Sequence, residues 1–307
     1  MKFISEAESA KIITHQMAYE AIREALVAVT QPVTRSFNVV QGQGSDARNT
    51  FGVKASATAT LAGLKVGSFW AGNEAKGLPR HNSLILLFDQ SCGKIGAAIE
   101  AGKVNAYRTA AADAVATDLL ARKEASILAI FGTGHQARYE CIALARIRPI
   151  AKIMIVGRDE HKAQLMAEEL RATGLKAEVA DAETACRGAD IIVTATPSRA
   201  PLFEAQWVRP GTHISGMGAD ARGKQELPVE LYASARLYCD LPEQARLIGE
   251  FQHVPEQLEM TAIGRVALGE APGRLSDKDI TIFDSSGIAV QDLYIGQRIL
   301  DEWEGAL

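Results

Sequence analysis

The sequence predicts an α/β protein whose middle part is a parallel sheet covered by helices on both faces. Three observations point there. From about residue 126, apolar strand-like runs alternate with helical stretches, the pattern of a sheet buried on both sides. A glycine-rich segment, Gly132-Thr133-Gly134-His135-Gln136-Ala137, sits at one of the strand-to-helix junctions. The first hundred residues follow a different rhythm, with short apolar runs set between Gly, Asn, Asp and Ser, so an α+β region precedes the sheet.

Taken in order, residues 5–29 read as one helix. Ser5 is placed to cap it, and Ala18, Ile22, Leu26 and Val27 recur at helical spacing. Over 33–100 the runs Val39-Val40, Phe51-Gly52-Val53, Leu64-Lys65-Val66 and Leu84-Ile85-Leu86-Leu87-Phe88 read as strands. Residues 104–121 are rich in Ala and Leu and suit a helix. The strand Ile127-Leu128-Ala129-Ile130-Phe131 then leads through the glycine-rich segment into a helix ending near 147. Strands follow at 153–156, 177–179 and 190–195, separated by helices over about 160–172 and 182–187. Further strand signals stand at 213–217, 236–239 and 280–283, and a final helix runs from about 288 to 304. Periodicity does not say which region that last helix joins.

Composition narrows the function. The 307 residues are enough for two cores, and 47% hydrophobic with 23% charged is an ordinary globular balance. With a net charge of -4 and a pI near 5.9, no basic face points to nucleic acid. No run approaches the roughly 18 apolar residues of a membrane span, and the N-terminus turns polar at once, without a signal-peptide core. The four cysteines are scattered with no CxxC pair, which argues against a disulfide framework or a metal site. A reduced, cytoplasmic setting is expected.

Gly132 to Ala137 fits G-x-G-x-x-A between a strand and a helix, the context in which that spacing binds a dinucleotide. Gly132 permits the tight turn, Gly134 lets the backbone approach a pyrophosphate, and Ala137 keeps the helix close to the strand. The helix N-terminus then offers free N–H groups and a positive dipole end. Thr133, His135 and Gln136 complete the candidate loop. At the end of the second strand, where an acid would bind the ribose of NAD, the chain has Val156-Gly157-Arg158-Asp159. Gly157 followed by Arg158 leans towards NADPH, while Asp159 leans the other way.

Together with that loop, several segments resemble the ornithine cyclodeaminase/μ-crystallin family. They are Gly63-Leu64-Lys65-Val66, Gly72 to Pro79, Leu86 to Asp89, Asn105 to Ala112 (similar to the family's "ALRTAA" element), Thr194 to Pro197, Pro210 to His213, Gly218 to Leu227 (similar to "GxDxxGKxEL") and Thr281 to Gly287. The resemblance spans nearly the whole chain. It implies a substrate-binding and dimerisation domain of residues 1–114 and 286–307, completed by the C-terminal helix, and a Rossmann NAD(P)-binding domain of residues 115–285. It also implies a homodimer, and redox chemistry between an α-amino acid and its α-imine. Members include ornithine and lysine cyclodeaminases, alanine dehydrogenase, ketimine reductases, Δ1-pyrroline-2-carboxylate reductase and iminosuccinate reductase.

Such chemistry needs a cation for the substrate carboxylate, a proton donor or acceptor at the nitrogen, and a fixed pose against the nicotinamide. Lys65 lies inside an apolar run, where a buried ammonium needs a partner and shifts its pKa. The resemblance makes it an active-site lysine and makes Arg108 a carboxylate binder. Arg35 resembles an early substrate-binding arginine, with Arg48 as a competitor. Asp220, in a glycine-bounded loop after a strand, matches the catalytic aspartate near the substrate amine. Arg108, Thr109, Thr196, Gly218, Asp220, Ser286 and Gly287 join the dinucleotide loop as cofactor-side residues. Where relatives read "GLPTV" this chain has Arg80 after Pro79, and Lys54 adds a cation; either can hold a second carboxylate or form a structural ion pair.

The leading expectation is an NAD(P)H-dependent reductase of an α-imino acid of the Δ1-pyrroline-2-carboxylate or Δ1-piperideine-2-carboxylate type. The alternatives are an ornithine cyclodeaminase holding NAD, and an iminosuccinate reductase or alanine dehydrogenase-like enzyme. A non-catalytic binding protein is disfavoured because Lys65, Arg108 and Asp220 are all present.

Overall fold

In the computed structural model, which describes residues 1–306, the N-terminal helical stretch is two helices rather than one. After a short strand, β1 (Lys2–Ile4), come α1 (Glu6–Ile12) and α2 (His15–Ala28). The break has a local cause. Ile13 and Thr14 are extended, and the Thr14 hydroxyl accepts the Met17 N–H at 3.1 Å, an N-cap that restarts the helix. Ser5 opens α1, its N–H donating to the Glu8 carboxylate at 2.9 Å. The spacing of Ala18, Ile22 and Leu26 is the buried face of α2.

The chain forms two compact units, residues 1–108 with the segment from Ile288 onward, and residues 109–287. The first contains a mixed sheet of β1, β2 (Arg35–Ser36), β3 (Val40–Gln43), β4 (Thr50–Ala57), β5 (Ala62–Phe69), β6 (His81–Asp89) and β7 (Lys94–Glu100). The order is β1-β7-β6-β5-β4-β2, with β3 also on β4; β1 runs parallel to β7 and the other pairs are antiparallel. Lys65 on β5 stands between Lys54 on β4 and Ile85 on β6. The C-terminal helix (Ala289–Gly305) packs on α2 and on β4, β5 and β6, burying Leu293, Ile295 and Ile299. It completes the N-terminal unit, as the resemblance implied.

Helix α3 (Gly102–Leu120) carries the chain onward. The second unit runs β8 (Ile127–Phe131), α4 (His135–Ile147), β9 (Lys152–Val156), α5 (Glu160–Ala172), β10 (Ala177–Val179), α6 (Ala182–Gly188), β11 (Ile191–Thr194), β12 (His213–Gly216), β13 (Ala235–Cys239), α7 (Pro242–Ile248), β14 (Thr261–Ala262), α8 (Ile263–Ala267) and β15 (Ile280–Asp284). All strands are parallel, in the order β10-β9-β8-β11-β12-β15-β13-β14. Leu128, Ile130, Ile153, Ile155, Ile191, Ile192, Val193, Ile214 and Ile282 are fully buried. Each such side chain contributes about 1.5–3 kcal/mol, which is why these strands read as unbroken apolar runs. The order reverses between β8 and β11, and ligands of open α/β sheets bind at that crevice, outside the carboxyl ends of the strands.

Candidate active site

The first unit buries a cluster of opposite charges. Lys65 and Arg108 are 6% and 7% exposed and share one carboxylate, that of Asp292 on the C-terminal helix, at 3.1 and 3.3 Å. Asn105, one helical turn before Arg108, accepts from Lys65 Nζ and from Arg108 Nη2, both at 2.9 Å. Arg108 Nη1 donates to Gln291 Oε1 at 3.2 Å. Asp292 lies in the first turn of its helix, where the dipole favours an anion. Burial, then the Arg108 cation, and more weakly the Lys54 cation, push the Lys65 ammonium down to about 7, against the pull of Asp292. Asp292 Oδ2 and Gln291 Nε2 are buried without a hydrogen-bond partner among the described residues, so the cluster is not fully satisfied internally. A guanidinium beside an ammonium that titrates near neutrality can hold a carboxylate and deliver a proton.

Lys54 faces Lys65 directly across the β4–β5 pair. The other three arginines weighed from sequence lie elsewhere. Arg35 is exposed and donates to the carbonyls of Pro32 and Thr34 in its own turn. Arg48 pairs with Asp46, and Arg80 with Glu74, on the surface.

The second unit builds the glycine-rich loop at its switch point. Gly132 has φ 120°, a left-handed conformation, and a Cβ there would stand 2.7 Å from the Ala195 carbonyl oxygen. Gly134 precedes α4 in extended conformation with no side-chain cap, so the first-turn N–H groups stay open to an anion. Ala137 is fully buried. These features fit a dinucleotide pyrophosphate. Gln136 donates its amide to Glu140 at 2.7 Å, while His135 packs on Tyr139 in a tilted arrangement, ring centroids 4.8 Å apart, and is lowered in pKa by burial and by Arg138. A side chain at Gly157 would meet the Thr133 methyl group at 2.5 Å, so any larger residue there needs Thr133 to move. Arg158 is exposed, and Asp159 caps α5 by accepting the Lys162 N–H at 3.1 Å.

On the far side of the switch point, Thr196 and Gly218 give their N–H groups to Glu226 at 2.7 and 2.8 Å. Those two donors are therefore used within the protein. Asp220 is exposed and accepts from Lys224 Nζ, which also donates to the Gly218 carbonyl at 3.1 Å. Ser286 and Gly287 are buried; Asp240 accepts the Gly287 N–H at 2.8 Å, and Gln244 donates to Ser286 Oγ and the Gly287 carbonyl at 2.7 and 2.8 Å. Thr109, at the head of this unit, is half-buried.

The model of the ornithine cyclodeaminase/mu-crystallin family matches residues 1–306. The chain belongs to that family. Among similar family proteins, the iminosuccinate reductase of Paracoccus denitrificans is 34% identical over 310 residues, covering 98% of this chain and 96% of that protein. Its structure in complex with NAD+ superposes with a TM-score of 0.92 over 99% of this chain and 97% of the other. An archaeal alanine dehydrogenase, a dimer with bound NAD, gives 0.93 at 32% identity over 100% and 97% of the two chains. The Δ1-pyrroline-2-carboxylate reductase of Thermococcus litoralis, in complex with NADH and L-proline, gives 0.90 at 26% identity over 100% and 99%.

Several residues that shape these clusters are given no role by the sequence, Glu226, Asp240 and Gln244 among them. Asn105 and Lys224 sit inside family-like segments, one turn from Arg108 and Asp220, and that helical or i,i+4 spacing was the available signal. Gln291 and Asp292 interrupt a stretch from Ile288 to Leu293 that is otherwise buried and apolar. A charge in such a stretch needs a buried partner.

Proposed function

We propose that this protein reduces the C=N bond of an α-imino acid, of the Δ1-pyrroline-2-carboxylate or Δ1-piperideine-2-carboxylate type, to the L-amino acid. The buried Lys65–Arg108–Asp292 cluster carries this reading. Arg108 holds the substrate carboxylate through its planar fork. Lys65 keeps a transferable proton near neutral pH and gives it to the imine nitrogen or to a water beside it. Asp292 balances one of the two cations, so that a single carboxylate completes the neutralisation. The family resemblance supports Asp220, bound by Lys224 in the second unit, as a further acid–base residue. NADH or NADPH, when bound, supplies the hydride for the α-carbon. The NAD-bound relatives support NADH, and exposed Arg158 beside Gly157 supports acceptance of the additional phosphate of NADPH.

One observation favours a dicarboxylate substrate such as iminosuccinate: Lys54, opposite Lys65, adds a cation to the same face of the sheet. Arg80, paired with Glu74, is the weaker candidate for that role. A homodimer is also proposed, supported by the dimeric relative and by exposed Val33, Phe37, Val40 and Phe51 on or beside β2–β4. Free, scattered cysteines support a cytoplasmic setting, and no helix among the described residues is long and apolar enough to cross a membrane.

The test is loss of the reduced-nicotinamide absorbance with each cofactor and with Δ1-pyrroline-2-carboxylate, Δ1-piperideine-2-carboxylate and iminosuccinate. Multiple turnovers with a cyclic imine are expected. Preference for iminosuccinate that Lys54→Met abolishes would establish the dicarboxylate reading instead. Ammonia release from ornithine with NAD, and no imine reduction, would make the protein a cyclodeaminase.

A further inference from the structure

The carboxyl end of the parallel sheet holds four fully buried acids: Glu226, Glu250, Asp284 and Asp240. Three of them, Glu226, Glu250 and Asp284, form a chain through backbone N–H groups. The Glu226 carboxylate receives four donors: Thr194 Oγ1 at 2.9 Å, Thr196 N and Oγ1 both at 2.7 Å, and Gly218 N at 2.8 Å. The N–H groups of Glu226 and Leu227 pass to Glu250 at 3.0 and 2.8 Å, and the Tyr232 hydroxyl joins them at 3.1 Å. The N–H groups of Glu250 and Phe251 pass to Asp284, both at 3.0 Å.

Glu226 is the member nearest the candidate cofactor crevice. One oxygen takes both donors of Thr196, in the loop after β11; the other takes the Gly218 N–H, in the loop after β12. Asp220 follows two residues later, and Lys224 binds both Asp220 and the Gly218 carbonyl. The Glu226 backbone is itself fixed, since Leu202 N–H donates to its carbonyl at 2.8 Å and Gln225 N–H donates to the Ser198 carbonyl at 3.1 Å. Thus the carboxylate is a rigid clamp between two loops, not a flexible side chain seeking partners. Burial raises its pKa, and the four donors act against that rise.

We propose that Glu226 is a positioning residue, its carboxylate setting the separation of the Thr196 and Gly218 loops and so the place of the nicotinamide end of the cofactor and of Asp220. This rests on the dinucleotide reading of the second unit. Loss of the clamp therefore weakens what the nicotinamide half contributes to binding far more than what the pyrophosphate loop at Gly132–Ala137 contributes, since that loop is held by its own backbone and by α4.

The decisive comparison is the affinity of NADH and of ADP-ribose, which lacks the nicotinamide, for the full-length wild type and for Glu226→Gln. The amide keeps the shape but replaces an acceptor oxygen with a donor. The expected result is a rise of about tenfold or more in Kd for NADH with less than about a twofold change for ADP-ribose. Met166→Ala, a cavity in α5 remote from these loops, controls for general destabilisation and is expected to shift neither ligand. Should Glu226→Gln fail to fold, Thr194→Val removes one donor while keeping the carboxylate, and is expected to move NADH affinity the same way by a smaller factor. Equal effects on NADH and ADP-ribose, or none on NADH in a folded variant, would overturn the proposal. A wild type that binds neither ligand would overturn the dinucleotide reading beneath it.

Discussion

The two units bury charge in opposite ways. In the first, two cations meet one carboxylate, and both Asp292 Oδ2 and Gln291 Nε2 stay without partners among the described residues. In the second, a chain of acids is bonded by backbone N–H groups and hydroxyls, with up to four donors on one carboxylate. The difference separates two uses of buried charge. An incompletely neutralised cationic site is costly alone and gains most from an anionic guest. A carboxylate bonded by amides from several loops holds those loops without a mobile counter-charge.

The largest expected consequence concerns Lys65. Replacing it with Ala lowers kcat/KM for imine reduction by about 10²- to 10⁴-fold, measured by steady-state kinetics, with the fold retained by circular dichroism. Asp292→Asn tests the balance of the same cluster. It leaves two buried cations without their carboxylate and lowers stability by about 3–5 kcal/mol in denaturant unfolding. The loss of the Asp292 pull also moves the Lys65 proton to still lower pH.

A third experiment sets the units against each other. Glu250 is raised from 4.5 to about 7, chiefly by burial. The folded protein then binds more protons than the unfolded chain between those values, so this contribution to stability is full at low pH and lost as pH rises to about 7. Lys65 is lowered from 10.5 to about 7; there the unfolded chain binds more protons, and stability returns as pH rises from about 7 towards 10.5. Hydrogen-exchange protection in the second unit is expected to fall over the acid interval, Glu250 contributing on the order of 3 kcal/mol, and Glu250→Gln is expected to reduce the slope, the remainder coming from Glu226, Asp284 and Asp113, which burial also raises. An unchanged slope in that variant would remove Glu250 from the explanation. The smallest effect is at Arg158: its replacement by Ala should raise KM for NADPH about tenfold and leave that for NADH nearly unchanged.

Much of this contrast was hidden in the sequence, for physical reasons. The second unit's central strands, β8, β9, β11, β12 and β15, were legible because each is buried on both faces and bounded by turns, and the Gly132 loop because its geometry demands glycine. The break at Ile13-Thr14 was missed because an N-cap threonine inside an apolar pattern resembles a helix interior. The short elements α7, β14 and α8 were missed because none is long enough to show a period. Lys65 stood out because a strand run rarely carries a charge. Asp292 did not, because its partners lie near positions 65 and 108 and only the return of the C-terminal helix brings them together. Glu226 and Asp284 lie inside family-like segments and Glu250 outside them, but none is given a role by the sequence; their backbone partners depend on tertiary register that no local spacing encodes.

The most direct test is the pH dependence of steady-state reduction of Δ1-pyrroline-2-carboxylate by NADH, from about pH 6 to about pH 9. With Lys65 as proton donor, multiple turnovers occur and kcat falls above a pKa of about 7, a limb that Asp292→Asn moves to lower pH. Turnover with a limb that stays in place in that variant, or no turnover with any α-imino acid, would contradict it.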